Sequence, residues 1–332
     1  MRDIVERAGP ALDRLDGASL VITGAGGMLA RYMVETVAYC NRERFRSPCR
    51  LTAVVRRTPS DAIEAPGVEY RIHDARRAFE EAADGGYLVL AATRGAPSGY
   101  MAEPVETLEL NGPGVFAWLE WAHRSRCQSV LYFSSGEIYG SAETNSGGTP
   151  EDYAGRLDPA LARSVYAESK RYGEAVCMAL HRSHGLPVRV VRPFQVFGPG
   201  IRDSDTRAMS SFLREAAAGR PIRLQSAGQA LRTYLYIADA AVAFWKVLLE
   251  GAPGRAYNVG APGPEVTVLD LAQRIRARTG CQLEVGGAAS DAPARTCPDI
   301  SRISNELGFA PRYGLDELID RTLIWMNEEE RC

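Results

Sequence analysis

The sequence predicts an α/β protein built on a doubly wound parallel sheet, with a smaller mixed α/β lobe attached. Three observations carry this. Short β-branched runs alternate with longer helix-compatible stretches through residues 1–197, a glycine-rich turn follows the first of these runs, and Pro and Gly punctuation replaces the rhythm from Gly198 onward. At 332 residues the chain exceeds a typical single core, so a large domain with a smaller companion is expected.

The elements follow in order. Residues 3–15 read as a short helix, 20–23 as a buried strand and 28–39 as a helix. Strand-like runs recur at 51–55, 68–72, 87–91, 130–133 and 188–191, with helix-compatible stretches between them. Residues 234–244 resemble a strand end entering a helix, and 256–259 resemble another short strand, so the chain is expected to recross between lobes. The larger domain is therefore placed at 1–197 with returning segments near 231–260, and the smaller lobe mainly at 198–332. Asn145-Ser-Gly-Gly-Thr-Pro150 is a loop signal that fits either a substrate-facing loop or a plain solvent loop.

Gly24-Ala-Gly-Gly-Met-Leu-Ala30 sits between the first strand and the first long helix. Gly24 and Gly27 permit a tight turn, and the helix amino end can face a pyrophosphate, as in a Rossmann-type dinucleotide fold. Ala30 stands where a third glycine is usual, and alanine still permits close helix-to-strand packing. At mid-chain, Tyr166-Ala-Glu-Ser-Lys170 puts a lysine four residues after a tyrosine on one helical face, which predicts an ammonium lowering the phenol's pKa toward a general base. Ser134-Ser-Gly-Glu-Ile-Tyr-Gly140 follows an apolar strand and supplies hydroxyls for the same place.

Net charge of −2 gives no electrostatic footprint for nucleic acid or an anionic membrane. The seven cysteines are scattered, odd in number and without zinc-ligand spacing, which predicts reduced thiols and no metal site. With neither a signal-like amino terminus nor an uninterrupted apolar span, the expected location is the cytoplasm.

These motifs, together with Tyr100-Met-Ala-Glu-Pro104 leading to Asn111, Arg192-Pro-Phe-Gln-Val-Phe-Gly-Pro199, Leu231-Arg-Thr-Tyr-Leu-Tyr-Ile-Ala-Asp239 and Tyr257-Asn-Val-Gly260, resemble the extended short-chain dehydrogenase/reductase superfamily. The likeness is to its NAD-dependent epimerase/dehydratase branch, which modifies nucleotide-linked sugars. The resemblance implies that Tyr166 removes the proton of the sugar 4-hydroxyl, that Lys170 also holds the nicotinamide ribose, and that Ser135 bonds the reacting oxygen. Glu137 is implied either in C5 chemistry or in capping local backbone. Gly24, Gly26, Gly27, Met28, Leu29, Ala91, Ala92 and Asn111 are the implied cofactor contacts, with Asp74 at the adenine and His73 left to packing. Ser134, Gly136, Gln195, Arg202, Arg232 and Tyr100 are the implied substrate contacts, Arg232 being open to an interlobe salt bridge instead.

Two departures sharpen the expectation. Related 4,6-dehydratases carry an aspartate, and UDP-glucuronate decarboxylases a serine, where this chain has Gly136. A nucleotide-sugar 4-epimerase is thus expected first, UDP-glucuronate decarboxylase is the alternative, and 4,6-dehydratase follows. A non-catalytic NADP-binding sensor belongs to a different class. After the second strand an acid usually accepts from the ribose 2′-hydroxyl, but Arg56 and Arg57 stand there, favouring NADP+ with NAD+ as the alternative. The apolar helix faces bearing Trp118 and Trp121, and Tyr172 and Val176, fit core packing, and by resemblance the same two helices are expected to form a homodimer interface.

Overall fold

A computed structural model describes residues 1–140, 147–203, 205–288 and 293–329. Helix α1 (Arg2–Ala8) and a 3-10 segment (Gly9–Leu15) lead into β1 (Ser19–Thr23), α2 (Met28–Glu43), β2 (Arg50–Val55), β3 (Val68–Ile72) and β4 (Tyr87–Leu90). Two short helices, α3 (Pro97–Ala102) and α4 (Pro104–Glu109), and a π-helical turn (Leu110–Gly114) precede α5 (Val115–Arg124) and β5 (Ser129–Phe133). A 3-10 turn (Gly136–Tyr139) then precedes α6 (Ser164–His184) and β6 (Val188–Pro193). The remainder runs β7 (Val196–Phe197), α7 (Ala208–Ala217), β8 (Ile222–Leu224), β9 (Leu231–Arg232), β10 (Leu235–Tyr236), α8 (Ile237–Glu250) and β11 (Arg255–Val259). It ends with β12 (Val266–Thr267), α9 (Val268–Thr279), β13 (Leu283–Val285), β14 (Arg295–Thr296), α10 (Ser301–Leu307) and α11 (Leu315–Glu329).

Seven parallel strands form one sheet in the order β11-β6-β5-β4-β1-β2-β3. Helices cover both faces, so β4 and β5 are buried at every position and read as continuous apolar runs. The edge strand β3 is largely exposed and carries Glu69 and Arg71 between its apolar residues. The direction of winding reverses between β1 and β4, and this switch point opens a crevice at the strands' carboxyl ends. The later strands make three small sheets: β7 with β10, β9 between β12 and β14, and β8 with β13.

Several expectations shift in detail. The single helix expected over 3–15 breaks at Gly9, whose φ is +76°, and Pro10, which has no N–H to continue the ladder; the chain tightens to 3-10 geometry through Leu15. Trp118 and Trp121 are core residues: their indoles donate to the carbonyls of Ala75 at 3.0 Å and Glu81 at 2.7 Å, and Phe79 packs edge-on against both. Val176 is also buried, and of the four residues expected at a dimer face only Tyr172 is exposed. Exposed apolar side chains in this part of the chain are Met101 on α3, Val105 and Leu108 on α4, Phe116 on α5 and Tyr172 on α6.

Six cysteines are free and buried, and Cys332 lies outside the described residues. Asn145 and Ser146 of the expected loop also lie outside them. Its continuation is pinned: the Thr149 N–H donates to the Cys297 carbonyl at 2.8 Å, and the Thr149 carbonyl accepts from Asp299 at 3.0 Å. Among the described residues, no helix is long and apolar enough to cross a membrane.

Candidate active site

The glycine turn lies at the switch point because β1 ends against β4. Gly24 has a φ of +68°, and a Cβ there would stand 2.6 Å from the Ala92 Cα, so only glycine lets the two chain segments approach this closely. Gly27 donates its N–H to the Gly24 carbonyl at 2.8 Å and begins α2. Thr23 braces the other wall: its hydroxyl accepts from the backbone N–H groups of both Ala91 and Ala92 at 3.2 Å. Met28 and Leu29 are half-buried against the core, and Met28 reaches Gly200 of the second lobe. The cradle has the open backbone a pyrophosphate needs, a glycine surface at the amino end of a sixteen-residue helix.

Tyr166 sits beside this cradle on the first turn of α6, with Ser135 delivered by the end of β5 and Thr93 by the loop after β4. The hydroxyls of Ser135 and Thr93 lie near enough to the phenol to favour its charged form. Thr93 in turn donates to the Asn111 side-chain oxygen at 3.1 Å, the Asn111 amide donates to Ser169 at 3.0 Å, and Ser169 donates to the Tyr166 carbonyl at 2.7 Å. This chain of hydrogen bonds ties Thr93, beside the phenol, to the Tyr166 backbone. Tyr100 stacks on its face, with ring centroids 5.1 Å apart and planes 11° from parallel.

Lys170 is buried and donates to the Phe133 carbonyl at 2.7 Å, with its ammonium 5.8 Å from the Tyr166 ring centre. Its effect on the phenol differs from the sequence expectation. Burial holds Tyr166 up at about 12, opposed by the Ser135 bond, raised by the Glu137 charge and opposed again by Thr93 and Arg207. Burial likewise drives Lys170 down to about 7. Desolvation is thus the largest influence on both groups.

Ser135 caps the Gly136–Tyr139 turn by accepting from the Glu137 N–H at 3.1 Å. A Cβ on Gly136 would lie 2.9 Å from the Phe194 ring, so Phe194 fills the space a side chain at 136 would take. The Glu137 carboxylate lies 3.5 Å from the Arg163 guanidinium. Arg232 is buried and donates to the carbonyls of Leu231 at 2.7 Å and Pro293 at 2.8 Å; it is held by backbone rather than by an interlobe carboxylate, within the field of Glu137. The Ser134 hydroxyl is buried with no hydrogen-bond partner among the described residues.

The remaining expected residues have the following surroundings. Asp74 is half-exposed, and its carboxylate is engaged by the Arg76 guanidinium at 2.7 Å. His73 packs against Phe79 with centroids 5.0 Å apart, as expected. Gln195 accepts at its carbonyl from Leu235, which ties β7 to β10. Arg202, expected at the substrate, donates to the Gly26 carbonyl of the glycine turn. Sequence reasoning missed Thr93, Thr23 and Phe194: the first two are single hydroxyls whose role depends on the β1–β4 contact, and the third acts only through its proximity to Gly136.

A parallel sheet with a glycine turn and a buried Tyr/Lys pair at its switch point is a Rossmann-type architecture. The model of the NAD dependent epimerase/dehydratase family matches residues 20–260, and the chain belongs to that family. Over 224 residues it is 31% identical to UDP-glucuronic acid decarboxylase 3 of Arabidopsis thaliana, a match spanning 67% of this chain and 64% of that protein. It is 27% identical over 300 residues to UDP-glucuronic acid decarboxylase 6 of the same plant, across 90% of this chain and 85% of the relative. An epimerase of Methanothermobacter thermautotrophicus has a similar structure, with a TM-score of 0.83 at 20% identity over 99% of this chain and 96% of that one. The UDP-glucose 4-epimerase of Thermotoga maritima, solved with UDP-glucose, gives 0.79 at 17% identity over 94% of this chain and 99% of that one.

Proposed function

We propose that this chain remodels the hexose of a nucleoside-diphosphate sugar by oxidising C4, altering the resulting ketone and reducing it again. The observation that carries the reading is the buried Tyr166, with the hydroxyls of Ser135 and Thr93 near its phenol, beside the glycine turn at the sheet's switch point. Gly24, Gly26, Gly27, Thr23, Ala92 and Lys170 are the residues that would hold a nicotinamide dinucleotide. Bound there, it supplies a hydride acceptor for C4, a donor for the return step and a positive ring charge that favours the Tyr166 phenolate. Tyr166 takes the C4 hydroxyl proton and returns it at the end, while Ser135 and Thr93 stabilise the phenolate and keep its oxygen aimed. Arg56 and Arg57 support NADP+ as the dinucleotide.

Epimerisation is the outcome this site supports best. With Phe194 over Gly136, that position offers neither an acid for a departing C6 hydroxyl nor a hydroxyl for a C6 carboxylate. Re-reduction from the other face needs only Tyr166, Ser135 and the dinucleotide. The second reading is decarboxylation, in which a 4-keto uronic acid loses its C6 carboxylate as carbon dioxide and C5 is reprotonated. It is favoured by the similarity to UDP-glucuronic acid decarboxylases and by two cations, Arg163 and Arg232, near Glu137. The exposed apolar set Met101, Val105, Leu108, Phe116 and Tyr172 supports a homodimer.

Product mass spectrometry after incubation with a panel of nucleotide sugars tests the reading. An unchanged mass in a new chromatographic peak supports epimerisation, and loss of carbon dioxide supports the second reading. Loss of water overturns the argument from Gly136.

A further inference from the structure

We propose that Arg202, Arg56 and Arg57 together form a phosphate site that selects the 2′-phosphorylated dinucleotide, with Arg202 contributed from the second lobe. The proposal rests on the dinucleotide reading above and adds to it a residue and a selectivity.

Strand β2 ends at Val55, and the next two residues are arginines at the place where an acid would accept from an unphosphorylated ribose. Across the crevice, Arg202 donates to the Gly26 carbonyl, and its guanidinium lies 3.7 Å from the point where a Gly26 Cβ would stand. The three cations are close enough that Arg56 and Arg57, after burial, depress the Arg202 pKa. Among the described residues, no carboxylate pairs with any of the three, although many other arginines of this chain have one. Like charges gathered without a counterion repel one another, and a dianion placed among them reverses the sign of that interaction. A ribose 2′-hydroxyl offers no such charge.

Arg202 is also braced from behind. Arg214 donates to the Arg202 carbonyl at 3.2 Å and to the Asp205 carbonyl at 3.0 Å, while Asp205 is paired with Arg207 at 2.6 Å. The segment is thus a supported arm rather than a lone side chain. A pyrophosphate, present in both dinucleotides, is the competing partner for Arg202, and selectivity separates the two.

Calorimetric titration of the full chain with NADP+ and NAD+, and with adenosine 2′,5′-bisphosphate and AMP as probes, tests this. NADP+ is expected to bind at least about tenfold more tightly than NAD+, and the bisphosphate more tightly than AMP. Arg202→Gln keeps a donor for the Gly26 carbonyl but removes the charge; it should weaken NADP+ by about tenfold and leave NAD+ within about twofold. Equal affinities in the unmodified chain, or equal weakening of both dinucleotides by Arg202→Gln, overturn the proposal. Binding of NAD+ alone overturns it while sparing the proposed function, whereas failure to bind either dinucleotide overturns both.

Discussion

Tyr166 lies flat against Tyr100, with the two ring centres 5.1 Å apart and the planes 11° from parallel. Tyr100 is buried at the end of the segment that also carries Thr93, so one loop supplies both a wall and a hydroxyl to the same phenol. Tyr100→Ala should cost about 3–5 kcal/mol in chemical denaturation by opening a cavity beneath Tyr166. It should also lower kcat more than it raises KM, whereas Tyr100→Phe should preserve both.

Thr93→Val removes a hydroxyl that favours the charged phenolate and leaves the Asn111 oxygen without that donor. The low-pH limb, where protonation of the base limits turnover, should shift to higher pH, and Thr93→Ser should restore it. A pH–rate profile unchanged in Thr93→Val would assign the residue to packing alone.

Lys170 gives a stability prediction with a defined sign. Its folded pKa, about 7, lies below its ordinary value of 10.5, so between those limits the unfolded chain binds the extra proton and stability rises with pH. The contribution is fully present above 10.5 and is lost as pH falls through about 7. Lys170→Met should therefore raise Tm relative to the unmodified protein at pH 7, and this advantage should shrink as pH approaches 10. A difference independent of pH would contradict a desolvated ammonium at this position.

Gly136→Ser should destabilise by about 1–3 kcal/mol, because its Cβ meets the Phe194 ring. The penalty should fall in a Phe194→Leu background, and a double-mutant cycle with no coupling would remove Phe194 from the explanation.

Val105→Glu combined with Phe116→Glu should convert a dimer to a monomer in sedimentation, since both positions are exposed on the α3–α6 face. A monomer before substitution would contradict the homodimer.

The layout of this fold was legible because parallel strands buried on both faces announce themselves as apolar runs, and Gly24 marks the switch point by its neighbours in sequence. Tyr166, Lys170 and Ser135 were legible for a similar reason: each lies in a local motif. Thr93 was not, since its meaning comes from a contact with a residue more than seventy positions away. The tryptophans illustrate a different limit. Trp118 and Trp121 lie on an apolar helix face, but sequence does not tell whether that face meets Phe79 or a second copy. Burial also inverted the Tyr/Lys argument: spacing brought the ammonium near the phenol, but desolvation, which spacing does not encode, governs both pKa values.

The most direct test follows deuterium placed at C4 of a nucleotide sugar that the chain converts. The account predicts that the label is removed and restored within one cycle, so the product retains it at C4 and no free reduced cofactor accumulates. Loss of the label to solvent, or its stoichiometric appearance in released reduced cofactor, would contradict transient oxidation at C4.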